Sequence, residues 1–319
     1  MNEDYLKFYE TKLIEPLTEL DEARKKVVKN RVALTVITAL CILIHSLLIV
    51  VEIIKYPLTL FITLFALPLL AYFVYTKFFD KINDIEADLK EVMSKEILLE
   101  NLSASGGYKE DYFIPYLDFI QSQHYELQPE NYKGKHYVKG GKLATMASII
   151  EAGLEDSEGN WENIFNGYFM ICEEKFMFKG FTIVKPDDTQ QKLGLLGLKI
   201  KENSFNSFEY LKMPNKKFNK NFAVYSNNPT ESYTILNEVV VDTIMSLYEE
   251  FGVSISLTVS PNRIYASIAF PDDLFELNHW KTLLKPEKFV NFFTATEQTV
   301  NLVHRIGLSF IKREPKIIT

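Results

Sequence analysis

The sequence predicts an α+β protein with a two-span transmembrane helical hairpin, a cytoplasmic helical stalk and a soluble domain of mixed helices and β-hairpins. Three observations predict this class: two charge-free apolar runs near the N-terminus, helical spacing of apolar residues on both sides of them, and strand-like alternation further on. The expected segments are an amphipathic helix over 1–31, the hairpin over 32–76, the stalk helix over 77–104 and the soluble domain over 108–319.

The apolar runs have the length of membrane spans. Residues 32–51 and 56–76 contain no Asp, Glu, Lys or Arg, and about 20 apolar residues in a helix cross a hydrocarbon core of about 30 Å. The segment between them carries Glu52 and Lys55 and is the expected turn. We therefore predict two spans joined outside the membrane.

Flanking charge predicts the orientation of the spans. Basic residues cluster on the cytoplasmic side of membrane helices, so both long flanks are expected in the cytoplasm. The opening residues MNEDYLKFYE are acidic and polar, so no cleavable signal peptide is expected. The basic residues are Arg24, Lys25, Lys26, Lys29 and Arg31 before the first span, and Lys77 and Lys81 after the second.

Both flanks repeat apolar residues at helical spacing, which predicts an antiparallel helical stalk. The apolar stripe is expected to pack within the chain or between identical copies. Pro16 argues against an unbroken N-terminal helix, because proline lacks a backbone N–H. The stripe consists of Leu6, Tyr9, Leu13, Leu17 and Leu20 on the first flank, and of Phe78, Ile82, Ile85, Leu89, Val92 and Leu99 on the second.

Composition and motif spacing argue against several classes of function. The net charge of -7 and the isoelectric point near 5.4 argue against a nucleic-acid partner. Cys41 and Cys172 are too few for a disulfide framework or a thiolate metal cluster. The glycines before Lys142 do not form a phosphate loop, because His136 and Leu143 stand where that motif requires Gly and Ser or Thr. The histidines lack metal-ligand spacing, so no catalytic, cofactor-binding or metal-ligating residue is assigned.

The soluble domain follows a boundary of small residues, SASGG, at 103–107. Aromatic and β-branched alternation indicates strands, and Asn caps indicate helix starts. The expected elements are a helix over 112–121, strands over 167–172 and 176–184 joined as a hairpin, a helix beginning at Asn228 and Pro229, a helix from Asn237 to Glu250 that Gly252 ends, strands over 253–259 and 263–270 around a turn at 260–263, and a helix over 286–306.

Six aromatic residues in this region allow two interpretations. At strand spacing they are typical of core and cross-strand pairs, and the alternative is a surface on which a ligand stacks. The core interpretation is favoured. The residues are Phe165, Tyr168, Phe169, Phe176, Phe178 and Phe181.

Three runs in the soluble domain combine small, aromatic and turn-forming residues: IFNGYFMICEEKFMFKGFTIVKPD, FAVYSNNPTESYTIL and IYASIAFPDDLFE. In these runs the chain resembles the bacterial domain-of-unknown-function family number 3137, over about residues 110–305 and in the hairpin that precedes them. The resemblance to a bacterial family implies that the two spans lie in a bacterial inner membrane. It implies no activity or cofactor, and the shared residues are typical of fold determinants. They are Phe165, Gly167, Phe169, Phe178, Gly180, Tyr225, Ser226, Pro229, Leu274, Phe275 and Glu276.

Two features are candidate contact sites. A lysine-rich loop alternates with phenylalanines and suggests contact with anionic lipid, since the domain is expected near the inner leaflet; a solvated loop is the alternative. His45 is a polar residue within the first span, where it would line a proton or ion path or bond to a neighbouring helix. The loop residues are Lys212, Lys216, Lys217 and Lys220, with Phe218 and Phe222.

Three hypotheses for function follow. The favoured one is a non-enzymatic anchor, scaffold or assembly component that presents its domain to partners, in contact with the bilayer and with further copies or another membrane protein. The second is a homo-oligomeric ring or pore lined by His45 and the threonines of the first span. The third is an enzyme with a loop-built site at Asp272, Asp273, Glu276 and His279, together with His136 or Asp242.

Overall fold

The computed structural model describes residues 3–50, 67–102, 107–125, 131–155, 161–187, 208–271, 274–278, 280–285 and 287–311. The chain divides into two compact units. The first comprises Met1–Met93 and Asp272–Lys288, and the second comprises Ser94–Pro271 and Phe289–Thr319.

The first unit begins with continuous helix. Helix α1 (Glu3–Phe8) passes through a π-helical turn (Tyr9–Leu13) into α2 (Ile14–Val50). Pro16 does not break the helix. It is the third residue of α2, within one turn of the π turn, and the wider turn accommodates the missing N–H and the proline ring.

Helix α3 (Leu67–Asn101) continues the chain, and part of its predicted stripe is confirmed. Phe78, Ile82, Ile85 and Leu89 are each at most 6% exposed. Beyond Leu89 the prediction was wrong, since Val92 and Leu99 are only partly buried. The buried face continues through Met93, Ile97 and Leu98 instead, because a straight helix drifts from a seven-residue repeat.

One helical segment among the described residues is long and apolar enough to span a membrane. It covers Glu3–Ile44, and its most apolar 18-residue window has a mean hydropathy of 1.9 with 0% of the window buried. The predicted turn at 52–55 lies outside the described residues, as do 56–66 of the second predicted span. Residues 67–76 of that span are helical, at the start of α3.

The second unit is built on a sheet of nine described strands in the order β1-β2-β3-β4-β9-β8-β5-β7-β6, with every pair antiparallel. Both edge strands are only two residues long, which limits pairing with other chains. The strands are β1 (Tyr108–Lys109), β2 (Asn131–Gly140), β3 (Thr145–Glu155), β4 (Trp161–Glu173), β5 (Thr182–Pro186), β6 (Glu209–Tyr210), β7 (Phe222–Ser226), β8 (Ile255–Val259) and β9 (Arg263–Ala269).

The predicted hairpin of strands 167–172 and 176–184 was wrong. Strand β4 pairs with β3 and β9, while β5 begins only at Thr182 and pairs with β7 and β8. The backbone between them is bound elsewhere: the Lys179 and Gly180 N–H groups donate to the Glu231 carboxylate, and the Phe181 N–H donates to Asn227 Oδ1 at 2.7 Å. These donors are therefore not available to a strand ladder.

The predicted helix starts are confirmed by their caps. Asn228 accepts a hydrogen bond from the Glu231 N–H, and Asn237 accepts one from the Val240 N–H. Gly252 has a φ of +67° beyond the second of these helices. The first and last predicted helices exist with different bounds. The helices are α4 (Tyr116–Gln121), α5 (Lys216–Asn221), α6 (Pro229–Ile235), α7 (Glu238–Glu249) and α8 (Glu287–Phe310).

The core lies on both faces of the sheet. On one face Phe165 and Phe169 of β4 pack with Phe119 of α4. On the other face Tyr168 is fully buried against Phe292 of α8, and its hydroxyl donates to the Ser94 carbonyl at 2.7 Å. Alternation along β4 therefore divides its aromatic residues between two layers.

The core interpretation of the aromatic residues is confirmed for five of the six. Phe181 is the exception, since it is only partly buried. The five buried residues are Phe165, Tyr168, Phe169, Phe176 and Phe178.

Gly167 is one of the residues on which the family resemblance rests, and the structure shows why this position is a glycine. A Cβ at this position would lie 2.0 Å from the carbonyl oxygen of Ile268 on the neighbouring strand β9. Only glycine permits this close approach of two backbones. Gly167 is therefore a fold determinant.

Candidate functional site

The four lysines of the predicted lipid contact lie on and just before helix α5. Lys212, Lys216, Lys217 and Lys220 are all exposed. Asn215 caps α5, on which three of them lie, by accepting the N–H groups of residues 217 and 218. Lys217 also forms an ion pair with Glu249.

The phenylalanines of this loop are not available to a ligand. Phe218 and Phe222 are both 0% exposed, and their rings stack at a centroid distance of 5.0 Å. Lipid contact through this loop would therefore depend on lysine charge alone. It stays a prediction.

The other predicted site residues are scattered or lie outside the description. His45 lies within α2, and its side chain is not among those described. Asp272, Asp273 and His279 lie outside the described residues, whereas Glu276 and Asp242 are exposed and belong to different compact units. No group formed from these residues is therefore described.

His136 and Gly141 have structural surroundings. His136 is 1% exposed, and its Nδ1 lies 2.8 Å from the Tyr108 hydroxyl of the edge strand. Gly141 has a φ of +68°, and a Cβ there would lie 3.2 Å from the ring of His304. The glycine therefore serves a tight turn against a buried ring. Among the described residues no three His, Cys, Asp or Glu side chains are grouped to hold a metal ion.

A cleft of about 690 Å³ lies within the second unit, at one end of the sheet. This volume is in the range of sites that bind small molecules or peptide side chains. Helix α4 and the β8–β9 turn contribute to its walls, together with the end of β4 and the residues before β5 and β6. The lining residues are Asp118, Gln121, Gln123, Glu173, Phe181, Phe208, Ser260, Pro261, Asn262, Arg263 and Tyr265. We refer to this feature as the Arg263 cleft.

Arg263 links the polar wall of the cleft. Its Nη1 lies 2.6 Å from Asp118 Oδ1 and 3.3 Å from Gln121 Oε1. Its Nε and Nη2 both donate to Glu173 Oε1, at 2.9 and 2.7 Å. The guanidinium thus bridges α4 and the end of β4, and it holds both carboxylates in place.

The protonation of Arg263 follows from this geometry. The hydrogen bond to the Tyr265 hydroxyl raises the pKa of the Arg263 guanidinium further above its usual range. Burial opposes this increase, and the hydrogen bonds that the guanidinium donates to Glu173 and Asp118 add to it. The Arg263 side chain is 26% exposed, so it is not fully shielded from water. Arg263 is therefore a permanent cation in the cleft.

Local structure positions Arg263. Ser260 Oγ donates to the Arg263 carbonyl at 2.7 Å, which closes the predicted turn between β8 and β9. Thr258 of β8 is fully buried and donates to the Ser122 carbonyl at 2.6 Å. This bond fixes the end of α4, and with it Asp118 and Gln121, against the strand that leads into the turn.

Part of the cleft wall is aromatic. The rings of Phe181 and Phe208 lie 5.8 Å apart, and both residues are partly buried. Tyr265 provides a third ring beside the guanidinium. The cleft therefore combines carboxylates with ring surfaces.

A buried polar group lies near the cleft. His124 follows the lining residue Gln123, is 3% exposed, and places its Nδ1 3.0 Å from Ser267 Oγ. Its Nε2 has no hydrogen-bond partner among the described residues. Burial lowers the pKa of the His124 imidazole to about 3, so the ring is neutral at physiological pH.

Sequence reasoning missed this cleft. It assigned Arg263 to a turn and to the strand that begins there, Asp118 to a helix, and Glu173 to a connection between two strands. An arginine at the first position of a strand is a weak signal, and its partners are separated from it by 145 and 90 positions. Their meeting depends on strand order.

Comparisons with known proteins support the family resemblance. Residues 163–308 match the family model described as Protein of unknown function (DUF3137), so the expected resemblance is confirmed, over a shorter stretch than 110–305. No curated protein matches the chain. Among solved structures, the crystal structure of the mycobacterial trehalose monomycolate transport factor A, TtfA, matches with a TM-score of 0.35 and 10% sequence identity, over 68% of this chain and 94% of that chain.

Proposed function

We propose that this chain is a non-enzymatic membrane anchor that offers the Arg263 cleft of its cytoplasmic domain to a protein partner. The observation that carries the proposal is the apolar surface of α2. Leu43 is 63% exposed and Leu47 is 59% exposed, and neighbouring positions from Val32 onward are also exposed. An apolar surface of this extent is stable in lipid, and in water it would require a covering partner.

The proposal includes two spans, 32–51 and 56–76, in a bacterial inner membrane with both termini in the cytoplasm. Its support is the contact between Arg31 and Phe78, in which the guanidinium carbon lies 4.2 Å from the ring centroid. Arg31 directly precedes the first proposed span, and Phe78 follows the second by two residues. A contact between them is expected if the two spans form a hairpin. Tyr72 and Phe73 are 67% and 58% exposed, as expected for aromatic residues at a membrane interface.

The topology is tested by cysteine labelling in intact cells. Replacement of Cys41 and Cys172 by alanine gives a cysteine-free background, into which Lys55→Cys and Lys175→Cys are introduced separately. A membrane-impermeant maleimide is expected to label the first variant in intact cells and the second only after lysis. Labelling of Lys55→Cys only after lysis would contradict the two-span topology.

The binding role is tested by extraction in mild detergent at native expression level, followed by light scattering and identification of co-purifying proteins. A partner in stoichiometric amount, lost when the Arg263 cleft is altered, is the expected result. A large homo-oligomer without any other protein would overturn the proposal and favour the ring or pore.

A further inference from the structure

We infer that the Arg263 cleft binds a lysine or arginine side chain presented by a protein partner. This inference rests on the proposed function, because it names the chemistry by which that partner is recognised. The cleft volume of about 690 Å³ accommodates such a side chain together with adjoining backbone.

The charges of the cleft favour a cation. Its lining contains two carboxylates, Asp118 and Glu173, and one guanidinium, so one negative charge is left uncompensated. The Asp118 side chain is 25% exposed and that of Glu173 is 49% exposed. A cationic ligand therefore meets acidic groups that are accessible from the cleft.

One oxygen of each carboxylate accepts hydrogen bonds from Arg263. Arg263 donates to Asp118 Oδ1 and to Glu173 Oε1. No described residue donates a hydrogen bond to Asp118 Oδ2 or Glu173 Oε2. Each oxygen can accept from an ammonium or guanidinium group, which has donors and no acceptor.

An anionic ligand fits the cleft less well. The Arg263 guanidinium already donates to Asp118, Gln121 and Glu173. An anion would have to displace these acceptors while lying beside two like charges. The guanidinium thus positions the carboxylates and is not itself the recognition group.

The aromatic wall suits the remainder of a basic side chain. The paired rings of Phe181 and Phe208 offer apolar surface to the methylene groups of lysine or arginine. Ring faces also attract the cationic end. A short acidic or small polar ligand makes neither contact.

The test is a selection from a random heptapeptide phage library. The target is the full-length protein in nanodiscs of uncharged lipid, so that basic peptides do not bind the bilayer. We expect enrichment of lysine or arginine at one peptide position. The double variant Asp118→Asn, Glu173→Gln is expected to lose this enrichment, and Glu174→Gln is the matched control, since Glu174 is adjacent in sequence and does not line the cleft.

Peptide affinity makes the test quantitative. Fluorescence anisotropy with the most enriched peptide is expected to give about tenfold weaker binding for Glu173→Gln and unchanged binding for Glu174→Gln. Melting temperatures of all variants establish that they are folded, and Glu173→Gln retains an oxygen that can accept from Arg263. Absence of basic enrichment, enrichment of acidic peptides, or enrichment that persists in the double variant would overturn the inference. Failure of membrane anchoring is distinct, because the protein would then not enter nanodiscs.

Discussion

The carboxylate of Asp21 in α2 accepts the backbone N–H of Leu283 at 3.0 Å, within the first unit. Asp21 is 0% exposed and is also bonded to Arg24 and Lys25. In the same unit, Glu86 of α3 accepts the backbone N–H of Leu277 at 2.9 Å. Carboxylates of α2 and α3 therefore hold the segments 280–285 and 274–278, respectively, against these helices.

Replacement of Asp21 by alanine is expected to destabilise the protein by about 3 kcal/mol, because it removes the buried acceptor of the Leu283 N–H together with the ion pairs to Arg24 and Lys25. Thermal unfolding in mild detergent measures the change. Glu22→Ala is the matched control, since Glu22 is exposed on the same helical turn. Equal melting temperatures for the two variants would contradict the role of Asp21.

The pH dependence of the Asp21 contribution has a defined sign. Burial alone raises the pKa of this carboxyl, but the hydrogen bonds from Lys25, Leu283 and Arg24 and the charge of Arg24 lower it to about 2. The folded pKa lies below the ordinary value of 3.8, so this stabilisation is complete above about pH 4 and is lost as pH falls towards 2. The difference in unfolding free energy between wild type and Asp21→Asn should therefore be constant from pH 7 to 4.5 and shrink below pH 4.

Protonation of His124 should lower the stability of the protein in mild acid. Its folded pKa of about 3 lies below the ordinary 6.5, so the unfolded chain binds the proton first and stability falls as pH decreases from about 6.5 towards 3. The slope for one such group approaches about 1.4 kcal/mol per pH unit. Between pH 7 and 4, the melting temperature of His124→Gln should change less with pH than that of the wild type, whatever its absolute value. An unchanged slope would exclude His124 as the cause.

Gly167→Ala should destabilise the protein by about 3 kcal/mol or more, because the added Cβ would lie 2.0 Å from the Ile268 carbonyl oxygen. Gly252→Ala is the control. Gly252 has a φ of +67° with nothing within 4 Å of an added Cβ, so only backbone strain of about 1 kcal/mol is expected there. Unfolding in urea gives the free energy of unfolding of both variants. A smaller loss of stability for Gly167→Ala than for Gly252→Ala would contradict a tight approach of β4 and β9 at this position.

Glu231→Ala should release the loop before β5. The Glu231 carboxylate accepts the N–H of Lys179 at 2.9 Å and that of Gly180 at 2.8 Å. Its removal should accelerate hydrogen exchange at these two amides and cost about 2 kcal/mol of stability. Glu209→Ala, an exposed carboxylate on the edge strand β6, should leave their exchange unchanged. Protection that survives in Glu231→Ala would contradict the role of this carboxylate.

The long apolar helix and the helix caps could be predicted because they depend on nearby residues. Asn228 and Asn237 each bind a backbone N–H three positions further on. The apolar stretch of α2 also consists of consecutive residues. Local pattern is sufficient for such features, since the interacting groups are close in sequence before the chain folds.

The strand predicted at 176–184 begins only at Thr182, and this difference marks the limit of local pattern. Its residues alternate as strand residues do, yet the N–H groups of Lys179 and Gly180 are taken by a carboxylate more than 50 positions away. The competing side chain was not recognisable, because Glu231 also reads as an ordinary residue in the first turn of a helix.

The sequence by itself determined that α2 presents an apolar surface suited to lipid, where two of the helices begin, and that aromatic residues form the core of a domain related in pattern to DUF3137. Only the tertiary structure shows that the Arg263 cleft forms and that Asp21 accepts the backbone N–H of Leu283. The physical reason is distance along the chain: Arg263 meets Asp118 across 145 positions and Asp21 meets Leu283 across 262. Such pairs exist only once strand order and helix packing have brought their elements together.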